Sequence, residues 1–170
     1  MTRRLGNERG TTLIETAVAT GLLLVVLAGL LGMTSIATRL TENEGHLSAR
    51  TTEYAQDKME QLLVLAYGDA SSDTRVFPTT NTGGTGLAVG GSSDPAAPVA
   101  GYVDWLDESG TLLSSSGATA PTGWFYERAW AVSAPSTNLK QITVTTTVAR
   151  SVGGAKAPQS TLVSLKSYPF

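Results

Sequence analysis

Three acidic residues, Asp104, Asp107 and Glu108, crowd a turn that Ser109 and Gly110 complete, and their oxygens could be offered to a calcium ion. The spacing lacks the alternating Asp-x-Asp-x-Asp-Gly order of an EF-hand loop, so the residues read first as an ordinary polar turn and only second as a metal site. His46 is the single histidine and sits beside Gly45 among polar residues. It falls on the expected solvated face of a helix and no catalytic triad can be assembled around it, so it reads as a surface residue and the chain as a non-enzyme. The pairs Gly83-Gly84 and Gly90-Gly91 are not followed by the lysine and Ser/Thr of a phosphate-binding loop. With no cysteine in 170 residues, thiolate zinc sites, disulfides and cysteine nucleophiles are excluded. No cofactor is expected. What remains is one isolated carboxylate, Glu15, at the front of an apolar run.

The elements that must position these groups follow from patterning. Residues 16–38 carry no ionisable side chain. As a helix rising 1.5 Å per residue they reach about 34 Å, enough for a hydrocarbon core of about 30 Å. Arg3, Arg4 and Arg9 precede them, which places the N-terminus in the cytoplasm and the bulk of the chain outside it. Apolar residues then recur at Ile36, Leu40, Leu47, Tyr54, Met59, Leu62 and Leu63, mostly three, four and seven apart, with acids and arginines around the rest of the wheel. The helix is therefore expected to continue in amphipathic form over 39–67 and to stop at Gly68. Residues 68–101 are rich in Gly, Ser, Thr, Pro and Asp and read as a long exposed loop, with a short strand around residues 75–77. Strand signals occupy 102–106, 111–113, 124–133, 139–150 and 161–167. In the fourth of these, Ile142, Val144, Thr146 and Val148 share one face and Gln141, Thr143, Thr145 and Thr147 the other. The fold class is α+β, a long N-terminal helix against a meandering antiparallel sheet over 102–170.

Glu15 is costly in an apolar helix unless it has a partner. Cleavage between Gly10 and Thr11 would create an α-amino cation four residues ahead of it, on the same helix face. The carboxylate also suits the positive end of the helix dipole. In parallel, staggered helices the amine of one subunit can equally meet the Glu15 of its neighbour.

At these residues the sequence R-G-T-T-L-I-E-T-A, from Arg9 to Ala17, resembles the processing motif of type IV prepilins. In that family a basic leader ends in Gly, the cut follows it, and Glu is the fifth mature residue. Gly10 matches the residue before the cut, and Glu15 matches the acid. Thr11 and Thr12 match the first two mature positions, although the family usually begins with Phe. The segment A-Q-D-K-M-E-Q-L, from Ala55 to Leu62, is similar to that of PilV-type minor pilins and of the minor pseudopilins of type II secretion. The resemblance implies a leader at 1–10, a membrane-spanning and filament-core helix at 11–38, and an extracytoplasmic pilin domain at 39–170. It implies cleavage after Gly10 by prepilin peptidase and N-methylation of Thr11. It further implies storage in the inner membrane, with assembly through Glu15 into a pilus or periplasmic pseudopilus alongside other pilins and the assembly machinery. Outside this class stand a secreted binding protein cut after Ala37 and a membrane-tethered soluble domain.

Charge is divided along the chain. Residues 109–170 hold Arg128, Lys140, Arg150, Lys156 and Lys166 against Glu127 alone, whereas residues 39–108 are acid-rich. Five dispersed bases make a weak footprint for nucleic acid. The expected use is complementarity, between helix and sheet of one subunit or between neighbouring subunits.

Overall fold

The computed structural model describes residues 13–75, 82–113, 117–149 and 157–168. One helix, α1 (Leu13–Val64), precedes strands β1 (Gly90–Gly91), β2 (Val103–Leu106), β3 (Tyr126–Ser136), β4 (Leu139–Val148) and β5 (Gln159–Ser167). The chain divides into two compact units at Glu42/Asn43. The first contains the apolar part of α1. The second contains the amphipathic part of α1 and the antiparallel sheet, an α+β arrangement.

The sheet is built around β3. Its one edge pairs with β4, which pairs in turn with β5, giving a meander. Its other edge is shared by β2, opposite residues 126–129, and by β1, opposite Ala131 and Val132. The β3–β4 register slips by one residue between Ser133 and Ser136. Pro135 lies within the slip, and a residue with no N–H to give a ladder is tolerated at such an irregularity. Strand periodicity then sorts the side chains. Tyr126, Arg128, Trp130 and Val132 of β3 share a face with Ile142, Val144, Thr146 and Val148 of β4 and with Leu162 of β5. Against that face α1 lays Ala55, Met59 and Leu62, joined by Leu65 and Leu87, to form the main apolar core. A second cluster gathers Leu106, Tyr126 and Val148, with Leu47 and Tyr54 packed on it.

Several expectations are corrected in detail. The helix ends at Val64 rather than near Tyr67. A terminal carbonyl is met from the sheet, where Lys166 Nζ donates to Leu63 O at 2.5 Å, and just past the helix Lys140 Nζ donates to Tyr67 O and Leu87 O at 2.7 Å each. Cations at a helix C-terminus satisfy orphan acceptors and oppose the negative end of the dipole. Replacing Lys140 with Met should lower stability by about 1.5–3 kcal/mol in chemical denaturation, the usual scale for hydrogen bonds given by a charged group.

The segment after the helix is not wholly a surface loop. Leu87 is fully buried, Asp73 and Thr74 are nearly so, Ser72 bridges Thr82, and β1 joins the sheet. A strand was expected over 75–77; Arg75 lies in a turn, and residues 76 and 77 fall outside the described residues. The expected strand at 111–113 is reduced to a bridge between Leu112 and Leu106. Gly91 has φ +80°, and a Cβ there would fall 2.4 Å from Trp130 O, so β1 can pair with β3 only through glycine. This is the structural use of the Gly90-Gly91 pair.

Candidate functional site

In the first unit the candidate site is the surface of α1 itself. Every described residue from 13 to 43 is exposed, including Leu22, Leu23, Leu24, Val25 and Leu31. The helix is long and apolar enough to cross a membrane, and none of that stretch is buried within the chain. Its described threonine hydroxyls are already satisfied. Thr16 donates to Leu13 O, Thr20 to Thr16 O, Thr34 to Leu30 O and Thr38 to Thr34 O, all within 2.8–3.0 Å. Back-bonded hydroxyls of this kind remove the polar cost of placing threonine in hydrocarbon. At Gly21, Gly29 and Gly32 nothing lies within 4 Å of where a Cβ would stand. Small residues leave room for a second helix to approach closely. Glu15 stands in the first turn as the acid of this surface, with its side chain exposed. Gly10 and Thr11, the expected cleavage and methylation positions, lie outside the described residues.

In the second unit the polar chemistry is buried. Lys58 of α1 is fully buried, and its Nζ lies 2.6 Å from Asp104 Oδ2 of β2. The same oxygen accepts from Arg128 of β3 at 2.9 Å, and the other arm of Arg128 reaches Asp57 at 2.7 Å. Lys58 also donates to Thr74 Oγ1 and Thr74 O at 2.9 and 3.2 Å and stands 4.3 Å above the Trp130 ring. Desolvation pulls the Lys58 pKa down to about 8, with Asp104 working in the opposite direction, so the ammonium remains charged at neutral pH. The cluster ties helix, β2, β3 and the segment at Thr74 together.

The acidic turn resolves into two unrelated structures. Asp104 is directed inward to Lys58 and Arg128. Asp107 instead organises the turn, with Oδ1 accepting from Ser109 Oγ at 2.6 Å, Ser109 N at 2.9 Å and Thr111 N at 2.8 Å. These bonds, the Ser109 hydroxyl foremost, hold its carboxyl below the usual range. Glu108 faces solvent. Among the described residues no group of three or more His, Asp or Glu side chains is gathered so as to hold a metal ion. His46 is exposed.

The ionic cluster escaped the sequence reading. Its signal was present: Thr51, Ala55, Lys58 and Leu62 lie at helical spacings of four, three and four, so a lysine occupies the middle of the stripe that α1 buries. The charge division has an intrachain outcome as well, since Arg128 meets Asp57 and the two described lysines of the sheet meet α1 and the segment that follows it. Arg150 and Lys156 lie outside the described residues. Compared with known protein families, with curated proteins and with solved structures, the chain has no match in any of the three.

Proposed function

We propose that the chain is a type IV pilin-like subunit of the minor kind, made with a short basic leader and assembled into a pilus through its N-terminal helix. The observation that carries the reading is α1 between residues 13 and 38. This surface is apolar and uncovered, with its threonines self-bonded and one carboxylate, Glu15, in its first turn. A helix that is apolar on all sides needs lipid or other helices around it. The leader motif at Arg9 and Gly10 supplies the reason for the acid. Held first in the inner membrane, the subunit passes into a bundle of like helices, where Glu15 of one chain neutralises the freed Thr11 amine of another. In this reading the partners are prepilin peptidase, the assembly machinery and other pilins, and the sheet-bearing unit lies outside the cytoplasm. The similarity of residues 55–62 to minor pseudopilins makes a type II secretion pseudopilus the second assembly of the same class.

N-terminal sequencing and intact mass of the protein recovered from cells test this directly. A mature chain beginning at Thr11 is expected, with Gly10→Val retaining residues 1–10. A start at Thr38 would mark a secreted protein, and a start at Met1 a tether; either result removes the filament reading.

A further inference from the structure

We propose that the outer edge of β5 is a strand-acceptor site, which takes an extended, uncharged segment of a different polypeptide with apolar residues at alternate positions. β5 ends the sheet, and no described strand pairs with its outer side. Its register with β4 runs unbroken from Gln159 to Ser167, with no bulge and no proline. A row of backbone N–H and C=O groups of this kind is a template for another strand, and proteins ordinarily guard it with proline, a bulge, charge or a covering segment.

The opposite side of the sheet is guarded. β1 is only two glycines long, and β2 is covered from outside, where Asp107 N donates to Thr111 O and Leu113 N to Trp105 O. Pro135 and the register slip lie where β3 runs on past β1. β5 has none of these devices. Its one charged residue, Lys166, turns to the helix side and is spent on Leu63 O. The other face of β5 presents Val163 and Leu165, 60% and 59% exposed. A strand laid alongside would set alternate side chains next to these two, so apolar residues there lose contact with water and a charged one meets no counter-ion on β5.

A second copy of the chain does not fit the edge. Ser160 Oγ shares hydrogen bonds with the Thr51 and Thr52 hydroxyls at 2.9 and 2.8 Å, and Lys166 reaches Leu63 O, so α1 runs beside β5 in the same direction. Two β5 edges joined antiparallel about a two-fold axis would therefore set their α1 helices in opposite directions. One membrane cannot hold both N-terminal spans, a step that rests on the function proposed above. Head-to-tail pairing meets the guarded edge instead. The contact is also small. A strand of nine residues, at about 3.4 Å each and with a sheet thickness of about 10 Å, offers on the order of 300 Å². Stable complexes of globular subunits bury about 800 Å² per partner. An extended segment held through its backbone matches the smaller figure.

Residue-resolved hydrogen exchange of the full-length chain in detergent micelles tests the site, with a synthetic peptide copying residues 141–148 as the probe, an uncharged strand of the kind β5 already pairs with on its inner side. Alone, the amides of β5 should alternate between slow and fast exchange, because an edge strand has half of its N–H groups unpaired. With the peptide in excess, the fast set should slow by about tenfold or more. Val163→Lys combined with Leu165→Lys, at two exposed positions, should keep the slow set and abolish the response to the peptide. No slowing in wild type, or equal slowing in the double variant, overturns the proposal. So does protection of the fast set that grows with protein concentration in the absence of peptide, which would make the occupant a second copy. A leader retained in cells would instead remove the filament reading and leave the response to the peptide as it stands.

Discussion

Truncating Asp104 to Ala should lower the stability of the sheet-bearing unit by about 3–5 kcal/mol, a large share of the 5–15 kcal/mol that holds a typical domain together. Both Lys58 and Arg128 spend a hydrogen bond on the single oxygen Asp104 Oδ2, and both are buried. Removing the carboxylate leaves the Lys58 ammonium facing Thr74, Gln61 and the Trp130 ring with no counter-ion of its own. Such a charge either stays at high electrostatic cost or loses its proton, and each route weakens the fold. Asp57 provides the contrast within the same network. It also binds Arg128, but its side chain is 55% exposed, so water screens and replaces it and Asp57→Ala should cost below about 1 kcal/mol. Urea unfolding of the full-length chain in detergent, read by tryptophan fluorescence, gives the comparison. Equal losses for the two variants would show that the buried pair is not what joins helix to sheet.

What the sequence made legible was what local periodicity encodes. The apolar span and its amphipathic continuation emerged from spacing alone, as did β4, whose alternating Ile/Val/Thr pattern sorts correctly onto two faces. What remained hidden depended on partners far along the chain. Spacing puts Lys58 on the buried stripe of α1, but it cannot show Asp104 and Arg128, which arrive only when β2 and β3 form. The end of α1 was set by glycine in the sequence reading, whereas in the structure its Leu63 carbonyl is met by Lys166 of β5, a strand that lies far along the chain. Leu87, alone among small and polar residues, gave no period, yet it is fully buried in the core. The N-terminal stretch is the reverse case: Arg9, Gly10 and Thr11 speak only through the sequence, because they precede the described residues.

Replacing Glu15 with Ala should leave leader removal intact and reduce entry of the subunit into filaments by about two to three orders of magnitude. Processing depends, on the reading proposed above, on Gly10 and the basic leader, which lie on the other side of the cut. Assembly is different, because the new Thr11 amine must then enter an apolar bundle with no anion to receive it. Leaving one charge of a buried pair uncompensated costs about 3–5 kcal/mol, and each 1.4 kcal/mol is about tenfold in an equilibrium. Glu15→Gln separates charge from shape: it keeps the size and hydrogen-bonding capacity of the side chain but cannot neutralise the amine, so it should fail nearly as completely as Ala. Glu15→Asp keeps the charge on a shorter arm and should retain part of the activity. The measurement is the ratio of processed subunit in sheared filaments to that in the membrane fraction, for the four chains at equal expression. Filament entry of Glu15→Gln at the wild-type ratio would show that charge neutralisation at the helix start is not the force that docks the subunit, even if every variant is cleaved at Thr11.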